Sequence, residues 1–508
     1  MSDRAAVLGA PGRPPERSAP DRRELALWLF VLFAILLVAA AYTLRVQATP
    51  VLAALALSLV LVSYQRTLLA WPTLLSAVIL VILFIPIRRY TVGGSLPIEL
   101  EPYRILIAVV LACWLCALCA DPKVRWRKTG LEAPIITLLG AILLSLALNI
   151  PRVNGVSDIV LKQVSFFLSY FLLTYFISSV IRRGPQLDRM LRVLVGGGTI
   201  VAVLALIEWR TGTNFFDSLD RVIPILNHVD LGEHIERGTG VRALGSAQHP
   251  IALGAALVML IPLTVYLHKR DRHVAWLVCG ALLTLGALSS GSRTAALMLI
   301  ALMVSFVWIK RTETLRLLPL LIPLVIVIQV VMPGTLGTFR AILQPSYVIQ
   351  EQSAEMGSGS GRIADLGPSL EEWSRTPFLG QGFGTRVTSQ QGTSDAALIA
   401  PDDHAAGAED GAQILDDQWL STLLEIGAIG ALALLWLFVR AVRRLARRAR
   451  SDPGPEGWLA MGLAASLTAF AVGMFTFDAF AFIQVTFFAF IMIGFAAVVI
   501  RRDPAVVR

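Results

Sequence analysis

Runs of apolar residues long enough to cross a bilayer recur from one end of this chain to the other, and they constrain the fold more than any single motif. A membrane core needs about 20 helical residues, because lipid offers no partner to an open backbone N–H or C=O. Fourteen such runs can be placed: 25–44, 46–64, 67–87, 104–120, 133–149, 163–181, 190–208, 250–268, 274–290, 294–309, 316–333, 418–439, 457–476 and 479–500. The breaks between them are polar or basic, among them Gln65-Arg66, Arg88-Arg89, Lys123 to Lys128, Arg182-Arg183, Lys269 to Arg272, Lys310-Arg311 and Arg501-Arg502. Arg45 is the weakest break, so the division of the first two runs is the least defined. The first run is long and many others follow it, which predicts a retained anchor and not a cleaved signal peptide. The segment 1–24 ahead of it is basic and proline-rich (Pro11, Pro14, Pro15, Pro20) and is expected to be disordered.

Composition agrees. Of 508 residues 56% are hydrophobic and 16% charged, with mean hydropathy +0.70, whereas soluble proteins carry about a quarter charged residues. Four cysteines exclude a disulfide-rich secreted scaffold. A net charge of +9 raises nucleic acid as a partner until the charges are placed along the chain. Lys and Arg accumulate in cytoplasmic loops. With the N-terminus inside and the spans alternating, 29 of the 44 Lys and Arg fall on the cytoplasmic side, leaving 15 outside. Of the 35 acids, 12 fall inside and 23 outside, so the two faces carry +17 and −8. The basic excess is a topology signal and gives no support to nucleic-acid binding.

The expected fold is an all-α polytopic membrane protein of about 14 transmembrane helices with both termini cytoplasmic. About seven helices make an N-terminal bundle over 25–208, further spans occupy 250–333 and 418–500, and 501–508 is a cytoplasmic tail. Two long loops, 209–249 and 334–417, fall outside, and loops of such length are usually functional or disordered. The larger one opens with the low-complexity stretch Gly357 to Gly361, then offers Leu366, Leu370 and Trp373 at the spacing of a short amphipathic helix. Absence of a visible internal repeat argues against an inverted-repeat transporter.

Ionisable residues at a membrane boundary are expensive and therefore candidates for function. Three places qualify, all on the outer side. Gly240-Val-Arg242-Ala-Leu-Gly245 leads to His249-Pro250 at the start of the eighth run, and a guanidinium there can clamp a phosphate bidentately at headgroup depth. The bland alternative for Arg242 is an ordinary headgroup-facing arginine, and a lone interfacial His249 is more often structural than a base. Ser289-Ser-Gly-Ser-Arg293-Thr294 forms a very short outer turn that needs no arginine, which makes Arg293 the more informative of the two; its alternative is a snorkelling side chain on helix carbonyls. Asp416 and Asp417 enter the twelfth run, followed by Glu425, Gly427 and Gly430. A carboxylate at that boundary suits a general base, and helix capping is the expected role of one of the two aspartates. Glu425, two turns in, needs a partner such as an arginine of a neighbouring helix.

Three further patterns read as structural. Gly380-Gln-Gly382-Phe-Gly384 lacks the strand that a nucleotide loop needs and reads as a tight turn after Pro377-Phe-Leu. Cys113, Cys116 and Cys119 have metal-like spacing without histidine, which points to small apolar residues at a helix packing face. Asp402-Asp403-His404 reads as a solvated turn.

Four segments in order, Arg-x-x-Gly-x-x-x-x-Pro from Arg242, Ser-Arg-Thr at Arg293, Pro-Phe-Leu-Gly-x-Gly-x-Gly from Pro377, and Asp-Asp-x-Trp-Leu-x-x-Leu-x-Glu-x-Gly-x-x-Gly from Asp416, resemble the O-antigen ligase/polymerase family over roughly 196–440. The resemblance implies a bacterial inner-membrane glycosyltransferase with no metal or other cofactor. It implies an undecaprenyl-pyrophosphate-linked glycan as donor and a glycan, lipid or protein as acceptor. It implies that Arg242 and Arg293 hold the pyrophosphate and that Arg362 matches a less constant loop arginine; Glu425 is a candidate on the substrate side because of its own place two turns into the run. The ligases typically carry a histidine where Asp416 and Asp417 stand, as Asp-Asn does in many other members, so no catalytic histidine carries over and Asp416 becomes the candidate base. Displacement of a sugar 1-pyrophosphate would then invert the anomeric carbon. A lipid-linked glycan flippase is the alternative, although it would place its ionisable residues mid-membrane. A membrane scaffold for an envelope assembly is a third reading.

Overall fold

Eleven of the fourteen apolar runs contain a helix in the computed structural model, which describes residues 70–92, 101–122, 124–182, 184–223, 225–229, 236–237, 240–317, 319, 326, 366–385 and 417–502. Runs 25–44 and 46–64 lie outside the described residues, and 316–333 does so almost entirely. The chain divides into two compact units, Met1–Leu74 and Leu75–Arg508. The helices of the second unit are α1 (Trp71–Phe84, entering from the first unit), α2 (Pro102–Ala120), α3 (Glu132–Leu148), α4 (Ile150–Gly155), α5 (Ser157–Val180), α6 (Gly184–Thr211), α7 (Pro250–Asp271), α8 (Ala275–Ser289), α9 (Arg293–Ile309), α10 (Arg311–Leu317), α11 (Leu366–Arg375), α12 (Gln418–Ser451), α13 (Pro455–Gly473) and α14 (Ile483–Arg501). Seven of them (α2, α5, α6, α7, α12, α13 and α14) are long and apolar enough to cross a membrane; α1, α3, α8 and α9 are shorter apolar helices. Helix α11 stands where Leu366, Leu370 and Trp373 predict one.

A helix apolar on every side must be surrounded by others. Helix α14 meets that condition, since every residue from Ile483 to Ile500 is buried, against α5, α7, α12 and α13 among others. Helix α7 is nearly as enclosed, packed by α8, α13 and α9. Its start is set by Pro250 in the first turn and by His249, whose Nδ1 accepts the Ile251 N–H at 3.2 Å. The outward faces of the outer helices are apolar too. Ile136, Leu143, Leu161, Ile200, Ile300, Val304 and Leu432 are each more than half exposed. In water each such side chain would forgo about 1.5–3 kcal/mol of burial; against lipid tails it forgoes nothing.

Two short antiparallel strand pairs add to the helices. β1 (Tyr90–Val92) pairs with β2 (Leu226–His228), Tyr90 opposite His228, and β3 (Glu236–Arg237) pairs with β4 (Gly240–Val241). The all-helical expectation missed both, because two or three residues give no periodicity to read. The first pair ties the segment after α1 to the 209–249 loop. There Arg89 Nη1 meets Asp217 Oδ1 at 2.8 Å, and the Tyr90 hydroxyl donates to the Phe216 carbonyl at 2.7 Å. Burial pushes the Tyr90 hydroxyl above its ordinary pKa, so it stays a donor.

Candidate functional site

Arg242 and Arg293 lie on two segments that pack against each other. Arg242 Nε donates to the Ser290 carbonyl at 3.0 Å, and the Ala243 N–H reaches the Ser289 carbonyl at 3.2 Å. Arg242 therefore rests on the turn between α8 and α9, three residues before Arg293, the first residue of α9. Both arginines are half-buried. From behind, Glu208 at the end of α6 holds the arginine-bearing segment. Its Oε1 accepts the Leu244 N–H at 3.0 Å and its Oε2 the Gly245 N–H at 2.7 Å, while Asn214 Nδ2 bridges Glu208 Oε1 and the Gly245 carbonyl. Glu208 is 1% exposed, so these charge-assisted bonds form in a medium of low dielectric.

The start of α12 joins the same end of the bundle. Asp417 is its N-cap, with Oδ1 accepting the N–H groups of Trp419 at 2.8 Å and Leu420 at 3.1 Å. One of the two adjacent aspartates is thus a capping residue; Asp416 lies outside the described residues. Gln418 fastens the helix start to the segment between α13 and α14: its N–H donates to the Met474 carbonyl at 2.9 Å and its Oε1 accepts the Phe480 N–H at 2.6 Å. That 474–482 segment also meets the other two. Thr476 Oγ1 lies 2.9 Å from Thr294 Oγ1, Gln248 Nε2 donates to the Ala481 carbonyl at 2.9 Å, and the Phe482 ring lies 5.4 Å from that of His249. The 474–482 segment is a hub, and buried Asp478 sits within it, its Oδ1 3.4 Å from the Ala481 N–H.

Glu425 is buried just before Gly427, where α12 breaks. At Gly427 the backbone takes φ 65°, ψ −172°, which a helix does not allow. A continuous helix would bond the Ala428 and Ile429 N–H groups to the Leu424 and Glu425 carbonyls. Instead the stretch from Pro377 to Gly382 threads the gap. Ala428 N donates to the Pro377 carbonyl at 2.9 Å and Ile429 N to the Phe378 carbonyl at 3.2 Å; Gln381 N donates to the Leu424 carbonyl at 2.9 Å and Gly382 N to the Glu425 carbonyl at 3.1 Å. Ser145 Oγ of α3 adds a bond to the Glu425 carbonyl at 2.6 Å. Each group freed by the break is satisfied. The approach demands glycine, since a Cβ on Gly427 would lie 2.3 Å from the Phe378 carbonyl atoms and one on Gly380 2.5 Å from the Glu425 carbonyl carbon. The glycine-rich stretch is a turn, as its sequence predicts, and its glycines serve helix threading.

Other expectations divide. Arg362 and Asp402 to His404 lie outside the described residues. Cys113, Cys116 and Cys119 are exposed on the outward side of α2, which corrects the expectation that they pack between helices of this chain; on an apolar helix an exposed thiol suits lipid equally well. Among the described residues no group of three or more His, Cys, Asp and Glu is placed to hold a metal. Sequence reasoning missed Glu208, Gln418 and Asp478. Asp478 had a signal, a lone acid in the two-residue outer turn between the last two runs. Glu208 was hidden as the last residue of its run.

Residues 277–435 match a family model described as O-antigen ligase. No curated protein matches the chain. The matched segment includes Arg293, the large loop, the threaded glycine-rich stretch and the break at Gly427; Arg242 and the 474–482 hub lie beyond it. Over residues 277–435 the chain is similar to the O-antigen ligase domain, which supports its resemblance to the O-antigen ligase/polymerase family.

Proposed function

We propose that this protein transfers or polymerises an undecaprenyl-pyrophosphate-linked glycan at the outer face of the bacterial cytoplasmic membrane. The observation that carries this reading is the convergence of the Arg242 segment, the Arg293 turn and the Asp417 helix start on the 474–482 hub. A sugar 1-pyrophosphate brings its own leaving group, so the protein's task is to place cations on the phosphate charge that develops and to position the acceptor. Arg242 and Arg293 supply the cations, the guanidinium fork matching phosphate oxygens. The acceptor hydroxyl oxygen bonds to the anomeric carbon from the face opposite the pyrophosphate. The bond from that carbon to the pyrophosphate oxygen breaks with its electron pair, and the hydroxyl proton passes to a carboxylate. Asp416 is the base in this reading, and Asp417 caps α12 through Oδ1. Arg362 and Glu425 act on the substrate side. Single-step displacement inverts the anomeric configuration.

The test is the lipid-linked glycan profile of cells carrying Arg242→Ala or Arg293→Ala. Each variant is expected to insert normally and to lose at least about 100-fold in product, about 2.7 kcal/mol or more of transition-state stabilisation. Normal product from both refutes the pyrophosphate clamp. In a deletion strain, accumulated single repeat units mark a polymerase and accumulated long chains a ligase, while inner-leaflet accumulation supports the flippase instead.

A further inference from the structure

Helix α12 continues well past its apolar run to Ser451, and its far end carries Arg440, Arg443, Arg444 and Arg447. The spacing i, i+3, i+4, i+7 puts all four on one helix face. Together with Trp436 and Val439 they line a cavity of about 240 Å³. The apolar run 418–439 separates these arginines from Asp417; the helical stretches on either side of the break at Gly427, Asp417 to Ile426 and Ala428 to Arg444, rise about 14 Å and about 24 Å along their own axes, together enough for the roughly 30 Å of a bilayer core. The cavity is therefore at the opposite membrane face from the Arg242 and Arg293 site, on the side that the charge distribution makes cytoplasmic.

Like charges three and four residues apart on a helix repel, and partnered arginines relieve this with acids. Arg448 next door does so, meeting Asp452 at 3.5 Å and Glu456 at 3.7 Å. Among the described residues none of the four cavity arginines has such an ion pair. Glu132 is the acid close by, and its Oε1 is already engaged by the Thr129 and Gly130 N–H groups. Arg440 Nε finds the Gly130 carbonyl at 3.0 Å, but Arg444 Nη1 is enclosed with no hydrogen-bond partner among the described residues. An enclosed donor without an acceptor costs about 1–3 kcal/mol, and more when it is charged. The Arg440 guanidinium lies 5.8 Å from the Trp436 ring, and tryptophan favours headgroup depth.

We propose that this cavity binds the phosphate of an anionic phospholipid in the cytoplasmic leaflet. Arg440 and Arg444 hold the phosphate oxygens as forks, and Arg443 and Arg447 neutralise the remaining charge. The headgroup satisfies Arg444 Nη1 and relieves the repulsion along the helix. Such a lipid site rests on the orientation of the chain and does not depend on the glycan chemistry at the other face.

The experiment uses the full-length protein in nanodiscs of phosphatidylcholine, with or without phosphatidylglycerol, and follows hydrogen exchange over 436–451. Phosphatidylglycerol is expected to slow exchange there, and inorganic phosphate added to the phosphatidylcholine discs is expected not to. R440Q/R444Q is expected to weaken phosphatidylglycerol binding at least about tenfold, and R440K/R444K, which keeps the charge and loses the forks, to weaken it less. Equal exchange of the wild-type protein in the two lipids overturns the proposal whether or not the variants fold. Unchanged binding by folded R440Q/R444Q also overturns it, and full protection by inorganic phosphate assigns the cavity to a free anion instead.

Discussion

Gly427→Ala should expel the threaded loop from helix α12. An alanine Cβ at this position would lie 2.3 Å from the Phe378 carbonyl carbon and oxygen and 2.4 Å from the Leu379 nitrogen. These are backbone atoms, so no rotamer relieves the clash. The φ of 65° with ψ near −172° adds about 1–3 kcal/mol for any residue with a Cβ. Expulsion is the escape. The helix then regains two of its own hydrogen bonds while four loop-to-helix bonds are lost, a net loss of two at about 0.5–1.5 kcal/mol each. Phe383, 3% exposed and edge-on to Phe167 at 5.0 Å, also leaves its site, for about 1.5–3 kcal/mol. Opening the loop in the unmodified protein should therefore cost about 3–6 kcal/mol, and the Gln381 and Gly382 amides should exchange about 10² to 10⁴ times more slowly than in an open chain. Hydrogen exchange over 377–385 measures this. In Gly427→Ala the protection should fall to within about tenfold of an open chain, while Gly367→Ala, where a Cβ meets nothing within 4 Å, should leave it unchanged. Full protection in Gly427→Ala would refute the threading account.

Glu208→Ala removes the carboxylate that holds the Leu244 and Gly245 N–H groups and should lower stability by about 2–4 kcal/mol, read as the midpoint of thermal unfolding in detergent; Glu208→Gln, which keeps one acceptor oxygen, should lose about half of that. Both should impair glycan product with Arg242 intact, and a Glu208→Ala protein of unchanged stability would contradict the anchoring role. Cys113, Cys116 and Cys119 should label with a bilayer-soluble maleimide and resist a water-soluble one in intact membranes, because thiols exposed on a helix apolar enough to cross a membrane are expected to face lipid; rapid labelling by the water-soluble reagent would place that face of α2 in water.

Helix positions were legible in the sequence because lipid imposes a single local rule: about 20 residues must satisfy their own backbone, and the run length announces this. Each run within the described residues contains a helix for that reason, and a cap at one of Asp416 and Asp417 was legible too, since a cap bonds to its own chain two or three residues on; the cap at His249 was not read. Arg242 and Arg293 stood out because charge at a membrane boundary needs a reason. What they touch was not legible. Glu208 holds Leu244 and Gly245 across 36 and 37 residues, and Thr294 meets Thr476 across 182. Such contacts depend on which helices become neighbours, and apolar helices of similar length give no pairing preference in sequence. The break at Gly427 shows the division most clearly. By itself the sequence set a membrane helix there with a glycine in it; only the tertiary structure decided that the helix opens, because the backbone partners that satisfy the gap arrive from Pro377 to Gly382, some forty-five residues earlier.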